Sequence, residues 1–315
     1  MSVIDAIAGI DCGKLFPDVA VAPGADKLRV ANTARGHEEL VAWLASHGVV
    51  RAGVEASGGC ERPVRDALRT AGVAVGVFDP ARVRHYAKAL GRRAKSDTID
   101  AAVIAAFTAV QAPSAFVPAV EPEREELAGL VKARRVLVDK RADLRRARAG
   151  APAPAQGALD EAINALSRAI EDLDAAIAWQ VAAVPALAAT VTALQSAPGV
   201  GPVVAVTLAA RLPELGRISG ERIAALVGVA PFDHDSGQSR GQRHIAGGRF
   251  DVRRALYMAA EVAATHCHGV IAAYYRHLCE QGNAPKLAVI ACAHKLIVRL
   301  NAMLAKGGTW EDQPT

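Results

Sequence analysis

The sequence predicts an α/β layer domain at the N-terminus followed by a mainly helical remainder. Over residues 1–110, short apolar runs alternate with stretches of helical periodicity, whereas residues from 119 onward form long, highly charged helical patterns. Apolar residues make up 51% of the 315 residues and charged residues 22%, which is enough apolar material to form a buried core. The length favours more than one domain.

The N-terminal elements follow a simple order. Three successive strands are predicted at IAGIDCGK, DVAVAPG and KLRVANT. After them come, in order, a helix, a strand, a helix and a strand at GHEELVAWLASHG, RAGVEAS, ERPVRDALRTAG and VAVGVFDP, the last closed by Pro80. A three-strand meander followed by alternating helices and strands predicts a mixed sheet covered by helices.

Residues 119–194 are predicted to form a helical hairpin or antiparallel coiled coil. A long amphipathic helix covers EREELAGLVKARRVLVDKRADLRRARAG, and a second covers LDEAINALSRAIEDLDAAIAWQ. Between them, the two prolines and the glycine of APAPAQG are expected to break the helix. The hairpin is interpreted either as a spacer or as a dimerisation arm, because a long isolated hairpin needs a partner to bury its apolar stripe.

Residues 195–315 are predicted to be helical around a Gly-, Ser- and Arg-rich loop at 233–249. The segment PGVGPVVA, with Gly199 and Gly201, is typical of a helix-hairpin-helix, whose turn amides bind a DNA phosphate without reading sequence. An ordinary tight turn between helices is the alternative. The late histidines and cysteines lie in apolar helical stretches and are expected to pack rather than to bind zinc.

Charge and cysteine content exclude several classes of protein. The net charge is +5 and the isoelectric point is near 9.1. Aromatic residues at 4% argue against a base-stacking platform as the main binding device. Five cysteines without paired spacing favour the reducing cytoplasm. The N-terminus lacks the features of a signal peptide and no apolar run is long enough for a bilayer, so no membrane partner is expected.

Four acidic residues stand at the ends of predicted elements of the first domain. Asp11 ends the first strand, Glu55 ends the fourth, and Asp97 and Asp100 lie one turn apart at a helix start. Each alone is explained as a cap or a strand end. Together they suit two Mg²⁺ ions about 3.5–4 Å apart, the arrangement used in phosphodiester chemistry.

Basic residues cluster in two places. The run before Asp97 is a predicted contact with a phosphate backbone and contains Arg82, Arg84, Lys88, Arg92, Arg93 and Lys95. The second cluster surrounds Ser236 in the late loop and contains Arg240, Arg243, Arg249, Arg253 and Arg254. A serine among guanidinium groups is equipped to attack a phosphate. On the residues alone, a polar loop that merely holds nucleic acid is an equal interpretation.

These motifs together resemble the DEDD transposases of the bacterial insertion-sequence "one-ten" family. The resemblance spans essentially the whole chain and rests on GIDCGK, GVEASGG, KSDTIDA, SAPGVGPVVA and DSGQSRGQRHIAGGRFDVRRALYMAA. It implies a RuvC-like RNase H domain at 1–118, a coiled coil at 119–194 and a C-terminal transposase domain at 195–315. It also implies an acidic tetrad of Asp11, Glu55, Asp97 and Asp100. The catalytic serine falls on Ser236, where the Ser-Gly pair matches, rather than on Ser239.

The resemblance further implies Mg²⁺-dependent cleavage and exchange of DNA strands during transposition. Family members use a structured bridge RNA that pairs with donor and target DNA, and they act as dimers that join into tetramers. Two alternatives remain: a Holliday-junction-type nuclease that uses only the acids, and a non-catalytic RNA-binding accessory. GIDCGK also resembles the first phosphate loop of actin-like sugar kinases, but VEASGG offers Glu55 where those enzymes need an aspartate.

Overall fold

The computed structural model describes residues 6–24, 26–91, 97–112, 116, 122–232 and 244–310, with the side chains of residues 97–99 outside the description. The chain divides into two compact units, Met1–Val120 and Glu121–Thr315. The three-part division at residues 118 and 194 stays a prediction.

The first unit is built on a mixed five-stranded sheet. Its strands are β1 (Ala6–Cys12), β2 (Pro17–Ala22), β3 (Lys27–Arg29), β4 (Val49–Glu55) and β5 (Ala74–Phe78), in the order β3-β2-β1-β4-β5. The first three strands form an antiparallel meander, while β4 runs parallel to β1 and β5 parallel to β4. This confirms the predicted mixed sheet and is consistent with an RNase H-like domain.

Helices cover both faces of this sheet. On one face, α1 (Ala34–Ser46) and α2 (Arg62–Thr70) pack on buried strand residues such as Ile10 and Val54. On the other lie α3 (Pro80–Ala89) and α4 (Asp97–Ala109). The sequence pattern predicts a strand closed by Pro80, whereas in the structure Pro80 begins α3, a helix that was not predicted. Proline is favourable in the first turn of a helix, and the Asp79 carboxylate caps this one by accepting from the Ala81 amide at 2.7 Å.

Helix α4 lies directly on the backbones of β1 and β4. A Cβ atom added to Gly9 would lie 2.1 Å from the Ala105 nitrogen and 2.2 Å from the Ala101 oxygen. A Cβ atom added to Gly53 would lie 1.9 Å from the Thr108 hydroxyl oxygen. The contact therefore exists only because both strand positions lack side chains.

The second unit begins with the predicted helical hairpin, formed by α5 (Pro122–Ala149) and α6 (Ala153–Ala183). The two helices run antiparallel, because Arg134 pairs with Asp174 and Arg148, near the tip, pairs with Asp160. On α6, isoleucines 163, 170 and 177 are buried at intervals of seven residues. That spacing is typical of a coiled-coil seam. The coiled-coil assignment itself stays a prediction.

The break between the two hairpin helices is shorter than the sequence predicts. Helix α6 begins at Ala153, so Pro154 and Gly157 lie inside it and only residues 150–152 form the turn. Expecting the whole of APAPAQG to break the helix was wrong. Proline removes no intrahelical hydrogen bond in the first turn, where the amide has no partner in the helix.

The remaining elements build one helical core. They are α7 (Pro185–Gln195), α8 (Pro202–Arg211), α9 (Gly220–Val227), β6 (Pro231–Phe232), β7 (His244–Ile245), α10 (Phe250–Thr265), α11 (Val270–Glu280) and α12 (Pro285–Ala305). Helix α12 is long and apolar enough to cross a membrane, but half of it is buried inside this unit. Its residues Leu296, Ile297 and Leu300 are fully buried, as in a core helix of a folded domain.

We expect Gly9→Ala to destabilise the first unit by about 3 kcal/mol, because the new methyl group meets the backbone of α4, which cannot move aside cheaply. Urea unfolding measures the loss. Gly129→Ala is the matched control, since this α5 position is helical and open, and it should be neutral or stabilising by up to ~1 kcal/mol. Equal unfolding midpoints for the wild type and Gly9→Ala would contradict the close contact.

Candidate functional site

Asp11 and Glu55 lie side by side in the sheet. Ile10 of β1 is in register with Val54 of β4, so the next residues along these parallel strands are neighbours at their carboxyl ends. Because side chains alternate along a strand, Asp11 shares its face with Gly9, and Glu55 shares its face with Gly53. Both acids therefore project from the face that carries α4, and both are half-buried.

Helix α4 brings a third acid to that face. Asp100 lies in its first turn, half-buried, directly before Ala101, whose carbonyl oxygen lies against Gly9. Asp97 begins the same helix, and its side chain lies outside the described residues. The structure thus places three of the four predicted acids on one face of the sheet. Their role as catalytic and metal-binding residues stays a prediction.

A further acid, Asp18, was missed by sequence reasoning. Asp18 of β2 is directly opposite Asp11 in the antiparallel ladder, so the two carboxylates share one face. Its side chain is buried, and one carboxylate oxygen lies 3.8 Å from the Nε atom of Arg29. The sequence signal for Asp18 is the register of the β1–β2 hairpin. If the turn is assigned to residues 13–16, position 18 pairs with position 11.

The acids are chemically suited to a divalent cation. Asp18, Asp11 and Glu55 follow one another across three neighbouring strands, and like charges placed opposite each other in a sheet are destabilising unless neutralised. Carboxylate oxygens are the hard ligands that Mg²⁺ prefers. Among the side chains that the structure describes, no three acids, histidines or cysteines come close enough to form a complete metal site. The carboxylate oxygens of these acids suit Mg²⁺ by their chemistry. The side chain of Asp97, the fourth predicted acid, lies outside the described residues.

Cys12, next to Asp11, is not a candidate ligand or nucleophile. Burial raises the pKa of its thiol to about 12, and the neighbouring charge of Asp11 adds to the effect. The thiol therefore remains protonated at neutral pH, whereas the thiolate is the form that binds metals and attacks electrophiles.

A buried carboxylate, Glu61, holds the loop that follows Glu55. One of its oxygens accepts hydrogen bonds from the Ser57 amide at 3.0 Å, the Ser57 hydroxyl at 3.1 Å and the Gly59 amide at 2.8 Å. Burial acts to raise the pKa of Glu61, but the hydrogen bonds outweigh it and leave the pKa lowered. Glu61 is thus a structural acid, and the sequence analysis did not single it out.

Helix α3 carries the described half of the first basic cluster. Arg82, Arg84 and Lys88 are all exposed. The Arg82 guanidinium donates to the Gln111 side chain at 3.2 Å and lies 5.5 Å from the centre of the Phe107 ring. The other predicted contacts, Arg92, Arg93 and Lys95, lie outside the described residues.

The loop with the predicted nucleophile has a fixed base. Ser236, Ser239, Arg240 and Arg243 lie outside the described residues. The chain on either side is held by the short β6–β7 ladder, in which Phe232 pairs with His244 and Pro231 with Ile245. These strands were not predicted. They bring the two ends of segment 233–243 together.

Three of the arginines predicted to contact nucleic acid form hydrogen bonds within the protein. Arg249 binds both carboxylate oxygens of Glu214, at 2.7 and 2.6 Å. Arg253 donates to the carbonyl oxygens of Gly228 at 3.2 Å and Gly247 at 2.8 Å. Arg254 binds both oxygens of Asp139, at 3.0 and 2.8 Å. These contacts fix the base of the serine loop, and a role in nucleic-acid binding stays a prediction.

Gly248, directly before Arg249, is explained by close packing, whereas Gly247 has open space around it and is explained by its φ of +64°. A Cβ atom at Gly248, where φ is +74°, would lie 2.3 Å from the Gly228 nitrogen at the end of α9. Gly199 is similar, because its Cβ would lie 2.2 Å from the Ala259 oxygen on α10. Gly201, at the start of α8, is exposed and has open space around it. The helix-hairpin-helix interpretation therefore remains a prediction, with Gly199 accounted for by packing.

An aspartate that sequence reasoning missed joins α10 to two other helices. Asp251 lies 3.1 Å from Arg135 of α5 and 2.8 Å from Arg211 of α8. The Arg135 contact lacks hydrogen-bond geometry, so it is an ion pair only. These residues border a cavity of about 950 Å³ with an apolar floor that includes Ile177 and Val203. The cavity belongs to the second unit and contains none of the predicted acids.

Comparison with protein families assigns both halves of the chain. Residues 8–149 match the family model described as a DEDD transposase of the IS110 type. Residues 191–276 match the model described as "Transposase IS116/IS110/IS902 family". The two matched ranges follow each other in order and together cover most of the chain. They confirm the resemblance drawn from the sequence motifs.

Individual proteins to which this chain is similar share a quarter or less of its residues. Pilin gene-inverting proteins of Moraxella bovis and Moraxella lacunata are each 24% identical over 273 residues, covering 84% of this chain and 84% of their own. Among solved structures, Thermus thermophilus RuvC in complex with a Holliday junction substrate is 19% identical, with a TM-score of 0.25. It covers 32% of this chain and 89% of its own. A second Thermus thermophilus RuvC structure is 20% identical, with a TM-score of 0.26, covering 32% and 90%.

We expect Glu61→Gln to destabilise the protein by about 1–3 kcal/mol near neutral pH, because a neutral amide replaces a hydrogen-bonded carboxylate. Since its pKa is lowered in the fold from 4.5, ionised Glu61 stabilises the protein above that pH. This stabilisation is lost as the pH falls through the lowered value. The difference from wild type in urea unfolding should therefore shrink on acidification.

Glu39→Gln, at an exposed position of α1, serves as the control and should follow the wild type at every pH. If the unfolding free energies of the wild type and Glu61→Gln differ by the same amount at every pH down to acidic pH, the charge of the Glu61 carboxylate contributes nothing to stability.

Proposed function

Because this chain belongs to the IS116/IS110/IS902 family of transposases, we propose that it cleaves and exchanges DNA strands to move an insertion sequence. The observation that carries the proposal is the placement of Asp11, Glu55 and Asp100 on one face of a mixed sheet, inside the range of the DEDD family match. The Moraxella relatives are named for the inversion of a pilin gene, which is a rearrangement of DNA.

Asp11, Glu55, Asp97 and Asp100 are proposed to bind two Mg²⁺ ions. Such ions, when bound, polarise the phosphate and stabilise charge on the oxygens that attack and leave. The protein's own contribution is to fix the acids in place. Asp11 and Glu55 are fixed by the register of two parallel strands, and Asp100 by the contact of α4 with Gly9. Asp18 increases the negative potential beside Asp11 and so favours a cation there.

Ser236 is proposed as the nucleophile. Its hydroxyl oxygen would form a bond to the phosphorus while one deoxyribose oxygen leaves and takes up the serine proton. The number of phosphate ester bonds is then unchanged, which allows the strand to be rejoined to a new partner. Arg240 and Arg243 would supply positive charge to the phosphate.

The proposed partners are donor DNA, target DNA and a structured bridge RNA that pairs with both. The exposed cations Arg82, Arg84 and Lys88 support a polyanionic partner, because they stand on one short helix, α3, that contains no acidic residue between Pro80 and Ala89. The helical hairpin supports assembly into dimers and tetramers, since Trp179 on α6 is 71% exposed. An exposed tryptophan is typical of protein interfaces.

Asp11→Asn should reduce DNA cleavage in Mg²⁺ by roughly a hundredfold or more while DNA binding persists, because carboxylates supply the metal site and Lys and Arg supply the affinity. DNA cleavage is measured on a plasmid that carries the element's own ends, and DNA binding is measured by fluorescence anisotropy. Asp26→Asn, an exposed acid of the same unit, is the control and should retain activity. Wild-type cleavage by the Asp11→Asn protein would refute the metal-dependent proposal.

Ser236→Ala should abolish a covalent protein–DNA adduct that the wild type forms, with binding to DNA and RNA retained. Denaturing electrophoresis detects the adduct, and mass spectrometry of the digested adduct locates the bond. An adduct on Ser239 or on Tyr257 would show that the nucleophile is wrongly assigned. Cleavage without any adduct would instead favour a nuclease that uses only the acids. An adduct restored by mixing Ser236→Ala with Asp11→Ala protein would show that two chains cooperate.

A further inference from the structure

Two consecutive apolar side chains are exposed on the turn that follows Asp11. Leu15 is 68% exposed and Phe16 is 45% exposed, both on the turn between β1 and β2. A single exposed apolar residue is ordinary on a protein surface. An exposed apolar pair within five residues of a predicted catalytic acid is a candidate contact surface.

The turn is fixed by hydrogen bonds to Asn32. The Asn32 side-chain nitrogen donates to the Gly13 carbonyl at 3.1 Å and to the Cys60 carbonyl at 3.2 Å. Its backbone amide donates to the Leu15 carbonyl at 2.8 Å, and within the turn the Gly13 amide donates to the Phe16 carbonyl at 3.2 Å. Hydrogen bonds therefore join the turn after β1 to the loop after β4, through Asn32, and join the two ends of the turn to each other, through Gly13 and Phe16.

The orientation of Asn32 is in turn determined by His37. Since the amide nitrogen faces two carbonyls, the amide oxygen faces the Nε2 atom of buried His37 at 2.8 Å, and that nitrogen must be the donor. Burial lowers the pKa of His37, so the ring is neutral at physiological pH. The turn that carries Leu15 and Phe16 is thus held in one conformation in the folded protein. Binding of a ligand to these side chains then costs little conformational entropy of the backbone.

Cations flank the exposed pair. Lys14 lies in the turn itself and is exposed. The Arg29 guanidinium, 58% exposed, lies 5.2 Å from the centre of the Phe16 ring. Positive charge beside an aromatic and an aliphatic side chain is complementary to a nucleic-acid strand, which offers phosphates to the cations and base faces to the apolar groups.

The pair is also within reach of the cleavage chemistry. Leu15 follows Asp11 by four positions in the chain, which span at most about 14 Å. Base pairs are spaced about 3.4 Å apart along DNA, so the pair lies within roughly four base-pair steps of a phosphate held at Asp11.

We propose that Leu15 and Phe16 form a wedge that contacts an unstacked DNA base next to the phosphate on which Asp11 acts. Proteins that open or kink DNA insert apolar side chains between bases in this way, and an aromatic ring stacks on any base without reading its identity. The wedge holds the strand open at the site of cleavage, with Lys14 and Arg29 on the adjoining phosphates. The proposal rests on the proposed function, because it requires DNA at the acidic site.

The test separates an apolar contact from an ionic one by its salt dependence. Binding of the full-length protein to a fluorescein-labelled duplex with a short central bubble is measured by anisotropy at several salt concentrations, with EDTA present to prevent cleavage. Phe16→Ser should weaken binding between about fivefold and a hundredfold, with no change in the slope of log affinity against log salt. Phe16→Trp should retain wild-type affinity, because it keeps the stacking surface. Lys14→Ala should reduce the slope by about one.

Val110→Ser is the matched control, since Val110 is 63% exposed in the same unit at the far end of α4, and it should change neither affinity nor slope. Photocrosslinking from 5-iododeoxyuridine in the bubble should map to the peptide that contains Phe16.

A Phe16→Ser protein with wild-type affinity, or crosslinks that map only elsewhere, would overturn the wedge while leaving the transposase proposal intact. A loss of self-association in Phe16→Ser, with DNA binding unchanged, would assign the pair to a second copy of the chain instead. A wild-type protein that does not bind the bubble duplex would overturn the wedge, whereas the transposase proposal is decided separately by cleavage of the plasmid that carries the element's ends.

Discussion

The direct contact between helix α4 and the sheet is the constraint on which the acidic site depends. The backbone of α4 touches the backbone of β1 at Gly9, and the Thr108 side chain of α4 packs against the backbone of β4 at Gly53. This contact places the first turn of α4, and therefore Asp100, on the face that carries Asp11 and Glu55. A side chain at Gly9 or Gly53 would push α4 away from the sheet, and Asp100 would move with it, away from Asp11 and Glu55. The two glycines are thus as much part of the site as the carboxylates.

The second unit uses its arginines mainly to hold its own parts together. Arg249, Arg253 and Arg254 are all engaged by carboxylates or carbonyl oxygens, and Asp251 joins α10 to α5 and α8. The bidentate pairs of Arg249 with Glu214 and of Arg254 with Asp139 are geometrically specific, because two parallel hydrogen bonds fix the plane of each guanidinium. A dense run of arginines in a sequence is therefore ambiguous, because framework pairing and phosphate binding need the same side chain.

The sequence was informative where local rules decide the structure. The strand meander, helices α1 and α2, and the long hairpin were predicted from apolar periodicity and turn residues alone. The acids Asp11 and Glu55 could be singled out because each ends an apolar strand. Asp18 and Glu61 could not, since their importance depends on strand register and on a loop hydrogen-bond network that appear only in three dimensions. The strands β6 and β7 escaped notice because two residues carry no periodicity, and the partners of Arg249 and Arg254 are distant in sequence.

The β6–β7 ladder has a consequence for how this chain can vary. Its two residue pairs bring residues 232 and 244 together, and the Arg249–Glu214 pair and the tight Gly228–Gly248 contact hold the chain just beyond. When the ends of a loop are already joined, each doubling of its length costs only about 0.6 kcal/mol of chain entropy. The segment between them can therefore lengthen, shorten or change composition with little effect on the helical core. The β6–β7 ladder thus allows the segment that contains Ser236 to change in sequence independently of the ion pairs that hold the surrounding helices.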